Sequence, residues 1–157
     1  MASLKGQKAN SPQPMRVDGT AVAIIDKAVF GLPATAVGAL GTPAATDTID
    51  FAIPAGAEVS ALAFQLDDMD TAATFVFGVG YRARNAADAA ALPTNATYFA
   101  AAGQTTGQAG GRLTCAFKPI KFQVDVFEQL LVGTAPTGIT GNPEIWMIAD
   151  INQNGPR

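Results

Sequence analysis

The stretch DFAIPAGAEVSALAFQL (Asp50–Leu66) decides how this chain reads. In its left arm Ile49, Phe51 and Ile53 share one parity, while Thr48, Asp50 and Ala52 share the other. An extended chain points successive side chains to opposite faces, so a period of two predicts a half-buried strand. Pro54 presets φ and Gly56 tolerates a positive φ, which makes Pro-Ala-Gly-Ala a turn. The right arm returns with Leu62, Phe64 and Leu66 inward and Val59, Ala61 and Ala63 on the opposite, small-residue face. The expectation is two strands joined as a hairpin, with nothing between them that does chemistry.

Working outward, the same period recurs. TAVAIIDKAVF (Thr20–Phe30) reads as the first strand, followed by a small-residue loop over residues 31–45. Phe75, Phe77, Val79 and Tyr81 alternate with Val76, Gly78 and Gly80. Glycines inside a strand predict that another element approaches that face closely. The GVG here opens no helix, so it is not a phosphate loop. NAADAAALP (Asn85–Pro93) and NATYFAAAG (Asn95–Gly103) carry an Asn start and a Pro or Gly stop, and each predicts a short helical turn. After GQTTGQAGG, a flexible link, Leu113, Cys115 and Phe117 alternate again. Ile120, Phe122, Val124 and Val126 then give the cleanest alternation in the chain, and residues 128–135 and 144–152 supply the last strands. About eight short strands punctuated by Gly and Pro predict an all-β fold, an eight-stranded jelly-roll β-sandwich.

The chain has 157 residues, which suits one domain. Residues 1–19 are polar, hold Pro12 and Pro14, and show no apolar period, so they read as a flexible or extended N-terminal arm. That arm is either a loose terminus or a strap that becomes ordered on a neighbouring subunit. Residues 20–157 form the sandwich. Charged residues make up 15% of the chain, against roughly 25% in an ordinary soluble domain. Small residues replacing charge explain this, and so does burial against partner subunits, since interface centres are poor in charge.

Much chemistry is removed by composition. A net charge of −3 argues against nucleic acid as a partner, because phosphate neutralisation needs a basic footprint. MASLKGQKAN lacks the apolar core of a secretory signal, and no run reaches the length of a membrane span, so no membrane role and a cytoplasmic origin are expected. Cys115 is the only cysteine and reads as a small buried hydrophobe. There is no histidine, so neither a His-based metal site nor a serine triad can be assembled. Asp67, Asp68 and Asp70 form an acidic corner that lacks the spacing of a calcium loop. These three, or Asp125 with Glu128, are the remaining candidates for two-carboxylate chemistry. No enzyme activity, metal or cofactor is expected. A glycan-binding module for host attachment stays open through Trp146, a single aromatic with no evident companion.

Several phrases together carry a resemblance: the IPAG turn, the Asp-rich corner, FVFGVGYRA, TNATYFAAAG, KFQVDVFEQLLVGTA and EIWMIADI. Over about residues 47–152 the chain resembles the jelly-roll decoration, or cement, proteins of tailed-bacteriophage heads. The resemblance implies a virion structural protein that binds the outer surface of the capsid as a homotrimer, partners with the major capsid protein and braces the shell. It also implies an arm reaching a neighbour. On that reading Lys5, Lys8 and Arg16 in the arm, with Arg82 and Arg84 after the VFGVGY strand, are the expected contacts to an acidic capsid surface. A tail, neck or baseplate subunit is the alternative within the same class.

Overall fold

The computed structural model describes residues 3–5, 21–30 and 40–153. The described chain forms ten strands: β1 (Ser3–Lys5), β2 (Ala21–Val29), β3 (Thr48–Ile53), β4 (Ala57–Leu66), β5 (Val76–Ala83), β6 (Asn95–Gln104), β7 (Gly111–Thr114), β8 (Ile120–Lys121), β9 (Val126–Thr134) and β10 (Glu144–Gln153). They lie in two sheets. The first has the order β1-β3-β9-β5-β6 and the second β2-β10-β4-β7, with β8 also paired to β4. Leaving aside β1 and the two-residue β8, the chain changes sheet at every step except β5 to β6. Four strands per sheet, wound this way, make the jelly-roll sandwich expected from the strand count.

The two arms of the opening stretch do not pair with each other. β3 lies antiparallel to β9, whereas β4 lies between β10 and β7 in the other sheet. Pro54 to Ala57 is therefore a corner between sheets, not a hairpin turn. Its local geometry is what the sequence calls for: Gly56 has φ +83, and the Ala57 N–H donates back to the Pro54 carbonyl at 3.3 Å. A tight turn fixes how the chain bends, and only the long-range partners decide which sheet each arm joins.

The inward parity is as read. Ile49, Phe51 and Ile53 from the first sheet face Leu62, Phe64 and Leu66 from the second, and all six are buried. Phe51 and Phe64 meet across the sandwich with centroids 5.8 Å apart. Each such side chain contributes about 1.5–3 kcal/mol through removal from water. The opposite parity of β3 differs from expectation, because Thr48 and Asp50 are buried too.

Two further expectations are corrected. Asn95–Gly103 lies in the ten-residue strand β6 (Asn95–Gln104), not in a helical turn. Alanine and an Asn cap favour a helix weakly, and pairing with β5 overrides that preference. Only the earlier segment winds, as a single 3₁₀ turn at Ala86–Asp88. The cleanest alternation, Ile120 to Val126, is also not one strand. β8 ends at Lys121, and the chain then crosses from the second sheet to the first before β9 begins. Phe122 is buried at that crossing, where its backbone bonds to Gly56 and Ala57 at the Pro54 corner. Extended chain keeps its period of two with or without a ladder partner.

The glycine reading of β5 holds. A Cβ on Gly80 would overlap the Asn95 carbonyl and the Ala96 backbone, and one on Gly78 would lie 3.3 Å from Ala102 Cα. The approaching element is β6, whose pairing with β5 slips twice as it passes over them. The link after β6 is more ordered than its composition implies. Thr106–Gln108 forms a 3₁₀ turn, Gly107 lies buried against the Phe75 ring, and its carbonyl accepts the Met69 N–H at 2.9 Å.

Candidate functional site

The residues singled out from sequence fall in three places. β1 pairs in parallel with β3, setting Lys5 opposite Asp50 in register. Lys8 and Arg16 lie outside the described residues. Arg82 and Arg84 sit at the end of β5. The Arg82 guanidinium pairs with the Asp50 carboxylate at 2.6 Å and lies 4.7 Å from the Phe127 ring centroid, while Arg84 lies 5.6 Å from the same ring. Asp50 has no exposed side-chain surface, and Phe127 is buried as well. Alternation on β3, β9 and β5 puts Asp50, Phe127 and Arg82 on the outer side of the first sheet. This part of the outer surface is thus a covered ion-pair and aromatic cluster. Arg82 serves the fold there, and Arg84 is half-buried as well.

The acidic corner is also structural in its geometry. Asp70 is buried, and its carboxylate accepts from the Ala72 N–H at 3.0 Å, the Thr137 N–H at 3.0 Å, the Thr74 hydroxyl at 2.9 Å, and the Thr74 and Phe75 N–H groups. Burial pushes its pKa up, but the donors from Ala72, Thr137, Thr74 and Phe75 outweigh it and hold Asp70 well below the usual carboxylate range. Asp68 accepts its own neighbour's N–H at Asp70, and Asp67 accepts from the Glu144 N–H at 2.9 Å. These carboxylates fasten the β4–β5 corner to the β9–β10 link rather than converging on one point. Among the described residues no three metal-binding side chains gather. Asp125 likewise binds backbone, accepting the Ala55 N–H at 2.8 Å.

Trp146 lies on the outer face of the second sheet, opposite in parity to the buried Ile145, Met147 and Ala149. Its indole N–H donates to Glu144 Oε2 at 2.7 Å, and Lys27 Nζ stands 4.9 Å from its ring centroid. Lys27 also pairs with Glu144 at 2.8 Å. That bond lowers the Glu144 pKa, burial opposes it, and the Trp146 N–H adds to the lowering. On the same face Ile25, 45% exposed, stands opposite Ile148, which stands opposite Ala63 on β4. Ile25, Ile148 and Ala63 thus form an uncharged row across three strands, beside the Lys27–Glu144 pair.

Sequence reading missed one feature. Between the edge strands β6 and β7 runs a groove of about 390 Å³, reached by Tyr98, Phe99, Leu113, Cys115 and Ala116. Neither strand is recognisable as a sheet edge from sequence. The only available signal was the uncharged run of Asn95–Gln104 beside the isolated cations Arg112 and Lys118.

Comparison with solved structures places this architecture. A chain in the capsid of Ralstonia phage GP4 superposes with a TM-score of 0.70 at 19% identity, covering 98% of this chain and 99% of that one. Its fold is one found in phage capsids. A chain of the Cyanophage Pam1 capsid asymmetric unit matches with a TM-score of 0.53 at 15% identity, over 92% of this chain and 94% of that one. A chain of the acid-stable capsid of Helicobacter pylori bacteriophage KHP30 matches with 0.50 at 15% identity, over 86% and 91%. No family model and no curated protein matches the sequence. Among the described residues no helix is long and apolar enough to cross a membrane.

Proposed function

We propose that this chain is a virion structural protein, a decoration subunit that binds the outer surface of a phage head as a homotrimer and braces the major capsid protein. The single observation that supports it most is the match to a chain of the GP4 capsid, which spans 98% of this chain and 99% of that one. The surface agrees. Asp67, Asp70 and Asp125 are spent on backbone donors, and the row of Ile25, Ile148 and Ala63 offers the uncharged contact that subunit association uses. Trimer formation multiplies weak contacts to a symmetric shell into firm attachment. On this reading Lys5, Lys8, Arg16 and Arg84 are available for an acidic capsid surface, and Arg82 acts mainly within the fold. A glycan site at Trp146 gains no support, since Lys27 already stands over that ring.

The test is co-sedimentation of purified protein with undecorated heads, with light scattering on the free protein. Binding at a fixed ratio to shell subunits is expected, and a solution mass three times the 16.0 kDa of the chain. Failure to bind heads at any concentration would falsify the reading. Ile25→Lys should lower the solution mass toward monomer while leaving the circular dichroism spectrum unchanged; a trimer that survives it removes the row from the interface.

A further inference from the structure

The groove between β6 and β7 lies on the side of the sandwich where both sheets end. The two edges differ in what they offer. β6 is blunted: its ladder with β5 slips twice, the Thr97 N–H turns to Asn95 Oδ1 at 3.3 Å, and the Ala101 carbonyl accepts from Gln104 Nε2 at 3.0 Å. Such devices keep an edge from pairing with other chains. β7 has none of them. The Cys115 N–H donates to the Leu62 carbonyl at 2.9 Å, so alternation turns the N–H and C=O groups of Arg112 and Thr114 away from β4. No described strand pairs with β7 on that side.

The chemistry beside this open edge is specific. No charged residue lines the groove; Phe99 and Cys115 beside it are buried, and its exposed lining is more polar than apolar. Arg112 stands at one end of the lining stretch of β7 and Lys118 just past the other. Both are exposed, and neither is in an ion pair among the described residues. The Tyr98 hydroxyl donates to the Lys118 carbonyl at 3.1 Å, which holds that cation's backbone beside the groove. An uncharged slot with an unpaired main-chain edge and a cation at each end fits an extended peptide carrying acidic residues. Residues 1–19 carry Lys5, Lys8 and Arg16 against Asp18, so charge complementarity favours a segment of another chain over this one.

We infer that β7 accepts, as an added strand, an extended net-acidic segment of the shell subunit, whose carboxylates meet Arg112 and Lys118. Naming the shell subunit as donor rests on the function proposed above; the strand-accepting groove does not. Backbone pairing gives the segment its hold, and the end charges give selectivity. β7 is short, so each contact is weak and an oligomer strengthens it by avidity.

The test uses the full chain and a labelled peptide alternating Thr and Val with Asp at both ends, read by fluorescence anisotropy. Saturable binding is expected, weakened about tenfold when Lys replaces both peptide Asp residues and about tenfold by Arg112→Glu with Lys118→Glu. Thr114→Pro removes an outward N–H that no internal bond uses, a substitution an edge strand tolerates, and should weaken binding at least as much. No saturation by about 1 mM peptide, or equal affinity for the Asp and Lys peptides, overturns the inference. The same variants are then spun with undecorated heads. Wild-type protein that binds heads while all variants bind equally well overturns the inference and leaves the proposed function standing. Peptide binding without any head binding supports the groove and overturns the proposed function instead.

Discussion

Two ion pairs of similar length stand on opposite sides of the sandwich and do different things. Arg82–Asp50 at 2.6 Å lies on the outer side of the first sheet with its carboxylate fully covered, and Lys27–Glu144 at 2.8 Å lies on the second with both side chains 27% exposed. Water can replace either partner of the second pair when the other is lost. It does not reach Asp50 in the first, so removing Arg82 takes a close cation away from a buried charge. Distance alone says little about an ion pair's worth; what covers it decides. The first sheet's outer side is in part a second, polar core, and the second sheet's outer face is a surface.

The largest effect should come from disturbing the cover itself. Gly80→Val drives side-chain atoms into the Asn95–Ala96 backbone and must lift β6 from β5. We expect Tm to fall by more than about 10 °C in differential scanning calorimetry. A shift under about 3 °C would mean that β6 adapts freely, against the close approach described here.

Next is the buried pair. Arg82→Ala should cost about 3 kcal/mol, the low end for a broken buried pair because Arg82 itself reaches solvent, and should lower Tm by about 8 °C. Arg82→Lys should recover only part of this, since an ammonium on a flexible stem does not reproduce the planar guanidinium over Phe127.

Asp70 sharpens the comparison, because backbone and hydroxyl donors do for it what a cation does for Asp50. Asp70→Asn should lower Tm by about 5 °C at neutral pH. The pH profile gives a separate reading. The folded pKa lies below the unfolded value of about 3.9, so the unfolded chain takes up a proton that the folded chain refuses. The contribution is complete above about pH 5 and is lost as pH falls toward the folded value. Denaturation midpoints between about pH 5 and pH 2 should therefore drop more steeply for the wild type than for Asp70→Asn. Parallel slopes would deny Asp70 this role.

The smallest effect belongs to the open face. Lys27→Ala removes a half-buried pair that water reaches on both sides and a contact on Trp146, worth under about 1 kcal/mol, and should shift Tm by about 2 °C, less in high salt. If Lys27→Ala and Arg82→Ala proved equal, the contrast between covered and open faces would be wrong.

Alternation identified the inward residues of β3 and β5 and Leu62, Phe64 and Leu66 of β4, but not Val59, which a register shift against β10 turns inward. The glycines of β5 announced an approaching neighbour. These are local facts: a side chain's parity and a missing Cβ are written at single positions. The candidate contact residues were harder to read. Nothing near Arg82 in the chain reveals that Asp50, 32 residues earlier, is its partner, because only the interposed β9 brings them together. The groove was invisible for the same reason. It exists because β6 and β7, adjacent in the chain, end different sheets.

The sequence by itself settled that this is an all-β chain of alternating strands with a turn at Pro54–Ala57 and no histidine. Those follow from the period of side chains, from φ restrictions and from composition, none of which needs a partner strand. Tertiary structure alone decided that the Pro54 corner joins two sheets, that Asn95–Gln104 extends instead of winding, and that Asp50 and Asp70 are buried. Each of these depends on which distant segment supplies the missing hydrogen bonds, and backbone donors and acceptors are the same at every residue. Local pattern can therefore mark the strands, but the pairing between them emerges only when the whole chain satisfies its backbone at once.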